Sequence, residues 1–341
     1  MTRRRALAVI AYLCAAAAAL PAATASAATT IAVEPYASKL AAYGGVLAWS
    51  HWNATLAEFQ LMARYGGSDH LLPVAPRSVP FDVDLGPDAS GHTVAVYSRC
   101  GQDRSAWTLG PEFGSFAAPG QCVLYRYDFA SGSETRIAGL PGGGSYYLPT
   151  IWKNQLAYVR IGPSGIPRLF VQQLRPSGRR PTRLIALPGG PASATGGPGP
   201  VSLSLRAGEL AFAWQDVTRT RDGTTFDSTI YIDTATARGA VTQTAYDAEA
   251  TPAPAPGFLG FATFTNRGLF YARSDDSPIT PADDAFELLA PGGVAARAAS
   301  APHALFGATS NGGTNYALYG AYMGSSACAP PGCTLVATRG L

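Results

Sequence analysis

Three stretches of the chain carry side chains whose chemistry could serve a site. His51-Trp52-Asn53 places an imidazole, an indole and an amide side by side. A second stretch, from Gly101 to Gln121, carries Asp103, Trp107, Glu112, Phe113 and Phe116. A third, from Gln215 to Ser228, carries Asp216, Arg219, Arg221 and Asp222. Aromatic rings beside acids and arginines suit recognition of a carbohydrate or a peptide. The rings supply flat apolar area, and the charged groups fix orientation. His51, Trp52, Trp107, Glu112, Asp216 and Arg221 are therefore the candidate ligand-binding residues, and a protein or carbohydrate is the expected partner. The plainer alternative is that the rings pack their own loops down. A rival function uses two carboxylates, such as Glu112 and Asp216, for acid–base work in an extracellular glycoside hydrolase or lyase. Nothing in their spacing selects that pair.

Other chemistry finds less support. Asp82, Asp84 and Asp88 form an acidic cluster of the kind a hard, oxygen-loving Ca²⁺ ion takes, but the glycine and distal glutamate of a calcium loop are missing. Asp side chains that bond turn amides explain the cluster equally well. The sequence has no His-Glu-x-x-His, no Gly-x-Ser-x-Gly and no phosphate-cradling glycine loop. His51, His70, His92 and His303 are scattered. These absences point to binding rather than catalysis, with no metal and no cofactor expected.

Candidate sites need elements to hold them, and a recurring pattern supplies these. A turn residue is followed by an apolar residue and alanine, with a large apolar residue close by. It reads Gly45-Val46-Leu47-Ala48-Trp49, then Gly91-His92-Thr93-Val94-Ala95-Val96-Tyr97, then Asn154-Gln155-Leu156-Ala157-Tyr158. Gly208-Glu209-Leu210-Ala211-Phe212, Gly260-Phe261-Ala262-Thr263-Phe264 and Thr314-Asn315-Tyr316-Ala317-Leu318-Tyr319 follow. The alanines recur roughly every 50 to 60 residues, too far apart for a solenoid coil and right for four-stranded propeller blades with loop insertions. Apolar, aromatic-rich strands ending in polar turns follow several of these cores, such as Val123–Asp128 before Ala130-Ser131-Gly132. The expected fold is all-β, a six-bladed β-propeller of four-stranded antiparallel blades. Leu47, Ala95, Leu156, Leu210, Phe261 and Leu318 should face the core between blades. A β-sandwich is the alternative, but six such units are too many for one ordinary sandwich. In the fifth unit the first strand would fall near Thr251–Pro256, whose prolines suit a paired strand poorly.

The segment Phe81–Gly91, running on into Val94-Ala95-Val96-Tyr97, resembles the WD40-like repeat of TolB-type β-propellers. There a Ser-Pro-Asp-Gly turn precedes an apolar strand. Gly86-Pro87-Asp88 stands in for that turn, with the glycine displaced to Gly91. The other units share the strand rhythm without the Pro-Asp turn. The resemblance implies a propeller fold and no particular chemistry.

The N-terminus sets the compartment. Arg3, Arg4 and Arg5 precede an apolar run from Ala6 to Leu20, and Ala25-Ser26-Ala27 is a small-x-small cleavage signal. Residues 1–27 therefore read as a signal peptide and 28–341 as a single secreted, monomeric domain with no membrane anchor. The chain's formal charge of +3 belongs to the three leader arginines, so the mature chain is neutral. That excludes the electrostatic footprint of a nucleic-acid binder. Past Cys14, within the leader, four cysteines remain, and an even number in an exported chain reads as disulfides. Cys100 and Cys122 flank the loop between the second and third strands of blade two. Cys328 and Cys333 hold the corresponding places in blade six, so the expected pairs are Cys100–Cys122 and Cys328–Cys333. Blade six then lacks a fourth strand. Thr29-Thr30-Ile31-Ala32-Val33 is spare at the other end and should pair with Cys333–Thr338 to close the ring. Mass spectrometry of secreted material should show a chain starting at Ala28, and a mature chain still beginning at Met1 would refute the leader.

Overall fold

The computed structural model describes residues 28–100, 122–140, 142–163, 167–174, 182–184, 199–219, 226–235, 241–250, 258–265, 268–274, 285–289, 295–300, 304–320 and 328–339. These residues form strands and connections, with no helix among them. Strand β1 (Thr29–Glu34) precedes sheet one, made of β2 (Ala41–Tyr43), β3 (Val46–Asn53), β4 (Glu58–Tyr65) and β5 (Ser68–Leu71). Sheet two is β6 (Asp84–Pro87), β7 (Thr93–Arg99), β8 (Val123–Asp128) and β9 (Ser133–Arg136). Sheet three is β10 (Ser145–Trp152), β11 (Gln155–Ile161), β12 (Pro167–Gln173) and β13 (Thr182–Leu184). Sheet four is β14 (Gly199–Arg206), β15 (Glu209–Arg219), β16 (Phe226–Ala235) and β17 (Val241–Ala250). Sheet five is β18 (Phe258–Thr265), β19 (Gly268–Ser274), β20 (Ala285–Leu289) and β21 (Ala295–Ser300). The last sheet takes β22 (Ala304–Asn311), β23 (Thr314–Gly320) and β24 (Cys333–Arg339) in turn, and β1 lies beside β24 as its fourth strand.

Every pairing is antiparallel, and β1 runs against β24 from Thr29 opposite Ala337 to Glu34 opposite Cys333. The first strands of successive sheets touch in cyclic order: β2 with β6, β6 with β10, and so on to β22, which touches β2 again. Meandering four-stranded sheets set round a common axis are the architecture of a β-propeller.

The inner strands with described side chains bury both faces, so they read as near-continuous apolar runs. Ala48 and Ala63 of sheet one meet Val83, Leu85, Ala95 and Tyr97 of sheet two. Val94 and Val96, on the opposite face, meet Leu156 and Tyr158 of sheet three. Ala157 and Val159 meet Leu210 and Phe212 of sheet four. Leu47 and Trp49 pack on Leu318 and Leu335, joining the last sheet to the first. Leu47, Ala95, Leu156, Leu210, Phe261 and Leu318 are all buried, as expected.

Two details depart from the repeat pattern. Phe261-Ala262 lies on β18, the first strand of sheet five, not on the second. The true second strand is β19, where Leu269-Phe270-Tyr271 replaces the apolar-Ala-aromatic signature and Phe270 stands opposite Thr263. Phe258–Thr265 supplies the first strand, and the prolines of 251–257 fall outside the described residues. The alanines are also out of phase. Ala48 and Ala157 face the following sheet, whereas Ala95 faces the preceding one.

The sheets approach most closely at their first strands. A Cβ placed on Gly86 would lie 2.0 Å from the Ile151 carbonyl oxygen of sheet three. Gly86→Ala must therefore push two sheets apart. The expected loss is about 2 to 3 kcal/mol, read as a fall of roughly 4 to 8 °C in melting temperature. Gly142→Ala, with open space around its Cβ position, should leave the melting temperature unchanged.

Candidate functional site

Each sheet begins with a strand that is paired on one edge only. Its other edge faces the axis, and alternate backbone N–H groups on that edge need an acceptor. The preceding sheet provides it. Ser50 Oγ accepts from Phe81 N at 2.8 Å, and Asp82 Oδ2 from Leu148 N at 2.7 Å. Thr150 Oγ1 accepts from Leu205 N at 2.9 Å. Ser202 and Ser204 accept from Ala262 N and Phe264 N at 3.1 and 3.0 Å. Asp82 is the strongest of these nodes. Its Oδ1 also accepts from Ser98 N at 2.8 Å and lies 3.7 Å from Arg77 Nη1, which donates to the Ser98 carbonyl at 2.7 Å.

Asp84 is different. It sits deep in the protein yet keeps part of its surface open to water. Burial pushes its carboxyl up from the ordinary value, and the Lys39 ammonium, the Thr150 hydroxyl and the Leu85 amide pull it only part of the way back. Lys39 is itself buried, and its Nζ makes no hydrogen bond among the described residues. Asp88 does a third job. Its Oδ1 accepts from Ser90 N and His92 N at 2.8 and 3.0 Å, which ties down the β6–β7 turn. The three aspartates thus serve separately, and no calcium cluster of the three assembles. Asp88, His92 and Asp128 do bring one potential ligand atom each within 4.8 Å of one another. However, Asp128 Oδ1 already caps its own turn through Ala130 N and Ser131 N.

The axial opening lies where the first strands end. Tyr43, Trp152, Arg206, Thr265 and Asn311 are the last residues of β2, β10, β14, β18 and β22. With Ser310 they line a cavity of about 210 Å³. Tight turns follow several of these residues. Gly44 and Gly45 have φ of 59° and 81°, Ala207 and Gly208 50° and 88°, and Gly312 and Gly313 60° and 83°. Successive positive φ values mark the tight hairpin turn whose twist matches the strands it joins. The Arg206 guanidinium lies 5.7 Å from the centre of the Trp152 ring, and Tyr43 meets the same ring edge-on at 5.7 Å. Thr265 Oγ1 donates to the Gly268 carbonyl at 2.9 Å and Ser310 Oγ to the Thr314 carbonyl at 3.3 Å. The lining holds one cation, an amide, a phenol and an indole, and no carboxylate or imidazole among the described residues.

The sequence-derived candidates lie elsewhere. His51 and Trp52 are at the far end of β3, roughly 17 Å of strand from the hairpin turns. His51 Nδ1 is 3.1 Å from Glu34 Oε1, which also accepts from Trp49 Nε1 at 2.9 Å. Trp52 packs edge-on against Tyr36 and Phe59, with ring centres 4.9 and 4.8 Å apart, so it closes its own loop. Asp216 lies on β15 with its backbone opposite Thr229. Trp107, Glu112 and Arg221 lie outside the described residues. The disulfides are Cys100–Cys122 and Cys328–Cys333, as expected. Tyr43, Trp152, Arg206 and Asn311 were not singled out from the sequence. Their shared signal is position: each immediately precedes the first hairpin turn of its sheet.

No protein-family model matches the chain, and no curated protein matches it. Among solved structures it is similar to the propeller domain of the Trilobed protease from Pyrococcus furiosus, at 8% identity and a TM-score of 0.47, covering 90% of this chain and 96% of that one. It is similar to TolB from Acinetobacter baumannii at 12% identity and a TM-score of 0.42, covering 87% of this chain but 64% of that one. A six-bladed fucose-binding lectin from Aleuria aurantia matches at 10% identity and a TM-score of 0.43, over 90% of this chain and 97% of that one.

The raised carboxyl of Asp84 has a consequence for stability. The folded protein holds the Asp84 proton more tightly than the unfolded chain does. Its contribution to stability is therefore greatest below the ordinary aspartate range and falls as pH rises through the folded value. Asp84→Asn removes that dependence. The melting temperature of the variant relative to the parent should climb between pH 4 and pH 7, and a difference that stays flat would refute the assignment.

Proposed function

We propose that residues 28–341 form a secreted, TolB-like, six-bladed propeller whose ring is closed by its N-terminal strand and which acts as a monomeric binding module for a protein or glycan. The six four-stranded sheets, the cyclic contacts of their first strands and the pairing of β1 with β24 support the closed ring. Two disulfides support export, because such bonds persist in oxidising compartments.

One observation carries the binding reading. The axial cavity takes side chains from five of the sheets, at positions held by rigid strand ends. Sites built on strands are held more tightly than sites on loops. The described lining offers aromatic surface and hydrogen-bonding groups without a general acid or base. The loop face expected from the sequence, with His51, Trp52, Trp107, Glu112, Asp216 and Arg221, is the competing contact face.

Purified 28–341 should be screened on glycan and protein arrays, with four variants in parallel. Trp152→Ala and Asn311→Ala should lower capture at least tenfold, while Trp107→Ala and Glu112→Ala should leave it intact. Loss in the second pair alone would move the site to the rim, and capture of nothing by the folded parent would overturn the binding reading.

A further inference from the structure

We infer that the axial cavity takes a sugar ring bearing a carboxylate, a uronic-acid unit of a glycan, an assignment that rests on the cavity being the binding site. Three features of the lining select this class. The first is charge. Arg206 is the cation of the described lining, no acid accompanies it, and its guanidinium makes no ion pair among the described residues. Glu209, opposite it across the turn, is exposed. The Arg206 guanidinium lies within cation–π reach of the Trp152 ring, and a guanidinium can meet a carboxylate with two parallel hydrogen bonds. The described lining holds a single guanidinium and no lysine, which fits a monoanion better than a phosphate dianion.

The second feature is the neutral polar rim. The Asn311 amide offers both donors and an acceptor, the Tyr43 hydroxyl offers one of each, and the Ser310 hydroxyl, which donates to a turn carbonyl, can accept. A ring of hydroxyls needs this mixture of donors and acceptors, whereas an apolar side chain would leave these groups unpaired. The third is shape and size. Trp152 and Tyr43 meet at 83°, giving a corner of apolar surface against which the C–H face of a sugar can rest. A volume of about 210 Å³ is below the range of drug-sized pockets and suits one ring.

The test is calorimetric titration of the 28–341 protein with a glucuronic-acid disaccharide, its neutral glucose counterpart and a short peptide with a free C-terminus. The parent should bind the uronate at least tenfold more tightly than the neutral sugar, and the preference should shrink with added salt. Arg206→Gln should abolish the preference, while Arg206→Lys should restore only part of it, with melting temperatures confirming that both variants fold. Equal affinity for the two sugars, or an undiminished preference in Arg206→Gln, would overturn the acidic-sugar assignment. Preference for the peptide over both sugars would also overturn it, and so would no binding to any of the three probes. The two readings fail separately. If array capture is lost in Trp152→Ala and Asn311→Ala but persists in Arg206→Gln, the site stands and the ligand class falls.

Discussion

The exposed inner edge of each sheet is the constraint on which the structure depends. A sheet that ends on an axis leaves backbone amides without a strand partner, and a buried amide without an acceptor costs about 1 to 3 kcal/mol. The chain meets this with side-chain oxygens that reach from one sheet to the backbone of the next: Ser50, Asp82, Thr150, Ser202 and Ser204, in order along the chain. Short side chains reach only if the sheets stand close. That explains why Gly86 admits no Cβ, and why a Cβ on Gly307 would fall 2.6 Å from the Ser38 carbonyl oxygen. Polar bridging and small residues are therefore two sides of one requirement. Asp82 shows the strength available when the acceptor is charged, since it also fixes Leu148, whose φ of 47° is a left-handed conformation for a branched side chain.

That bracing separates scaffold from site. The side chains that cross between sheets come from within first strands (Thr150, Ser202 and Ser204), from β3 (Ser50) and from the segment before β6 (Asp82), whereas Tyr43, Trp152, Arg206, Thr265 and Asn311 stand at the ends of first strands, where the hairpin turns begin. A residue at a strand end keeps the backbone geometry of the strand while reaching the opening, and Tyr43 and Trp152 also pack against the cores between sheets. Asp84 and Lys39 sit between these extremes. Both are ionisable and deep, Lys39 Nζ makes no hydrogen bond among the described residues, and burial raises the Asp84 carboxyl, so ionised Asp84 weakens the folded state.

Much of the architecture was legible in the sequence, for identifiable reasons. Both disulfides and the pairing of β1 with β24 followed from counting strands and seeing which one lacked a partner. Face assignments were harder. With both faces of the inner strands buried, alternation of apolar and polar residues vanishes there, so a one-residue slip leaves no trace. Ala95 shows such a slip, and Ala262 imitates the signature on the wrong strand because Phe270 occupies the true one. The acidic run Asp82–Asp88 looked like one site, but strand geometry and the turn send its three carboxylates to three different tasks. The axial residues escaped notice because long loops drew attention to the opposite rim, whereas the residues lining the cavity each come singly, one per sheet.

The two disulfides reinforce different weaknesses. Cys100–Cys122 spans 22 residues of sequence and Cys328–Cys333 spans 5. Loop-closure entropy gives the first roughly 3 kcal/mol and the second about 2 kcal/mol. The shorter bond acts where the chain ends must meet. Cys333 opens β24 opposite Glu34 of β1, and Cys328 N donates to the Pro35 carbonyl at 3.0 Å, so the linked pair grips the N-terminal segment from both sides. Glu34 continues the connection. Its carboxylate accepts from Trp49 Nε1 at 2.9 Å and from Trp52 N at 3.3 Å, carrying the last sheet across to the first. Elsewhere a side-chain oxygen answers a free inner edge. At this seam a buried carboxylate that accepts from Trp49 Nε1 and Trp52 N acts together with the covalent bond that holds Cys328 and Cys333 beside β1.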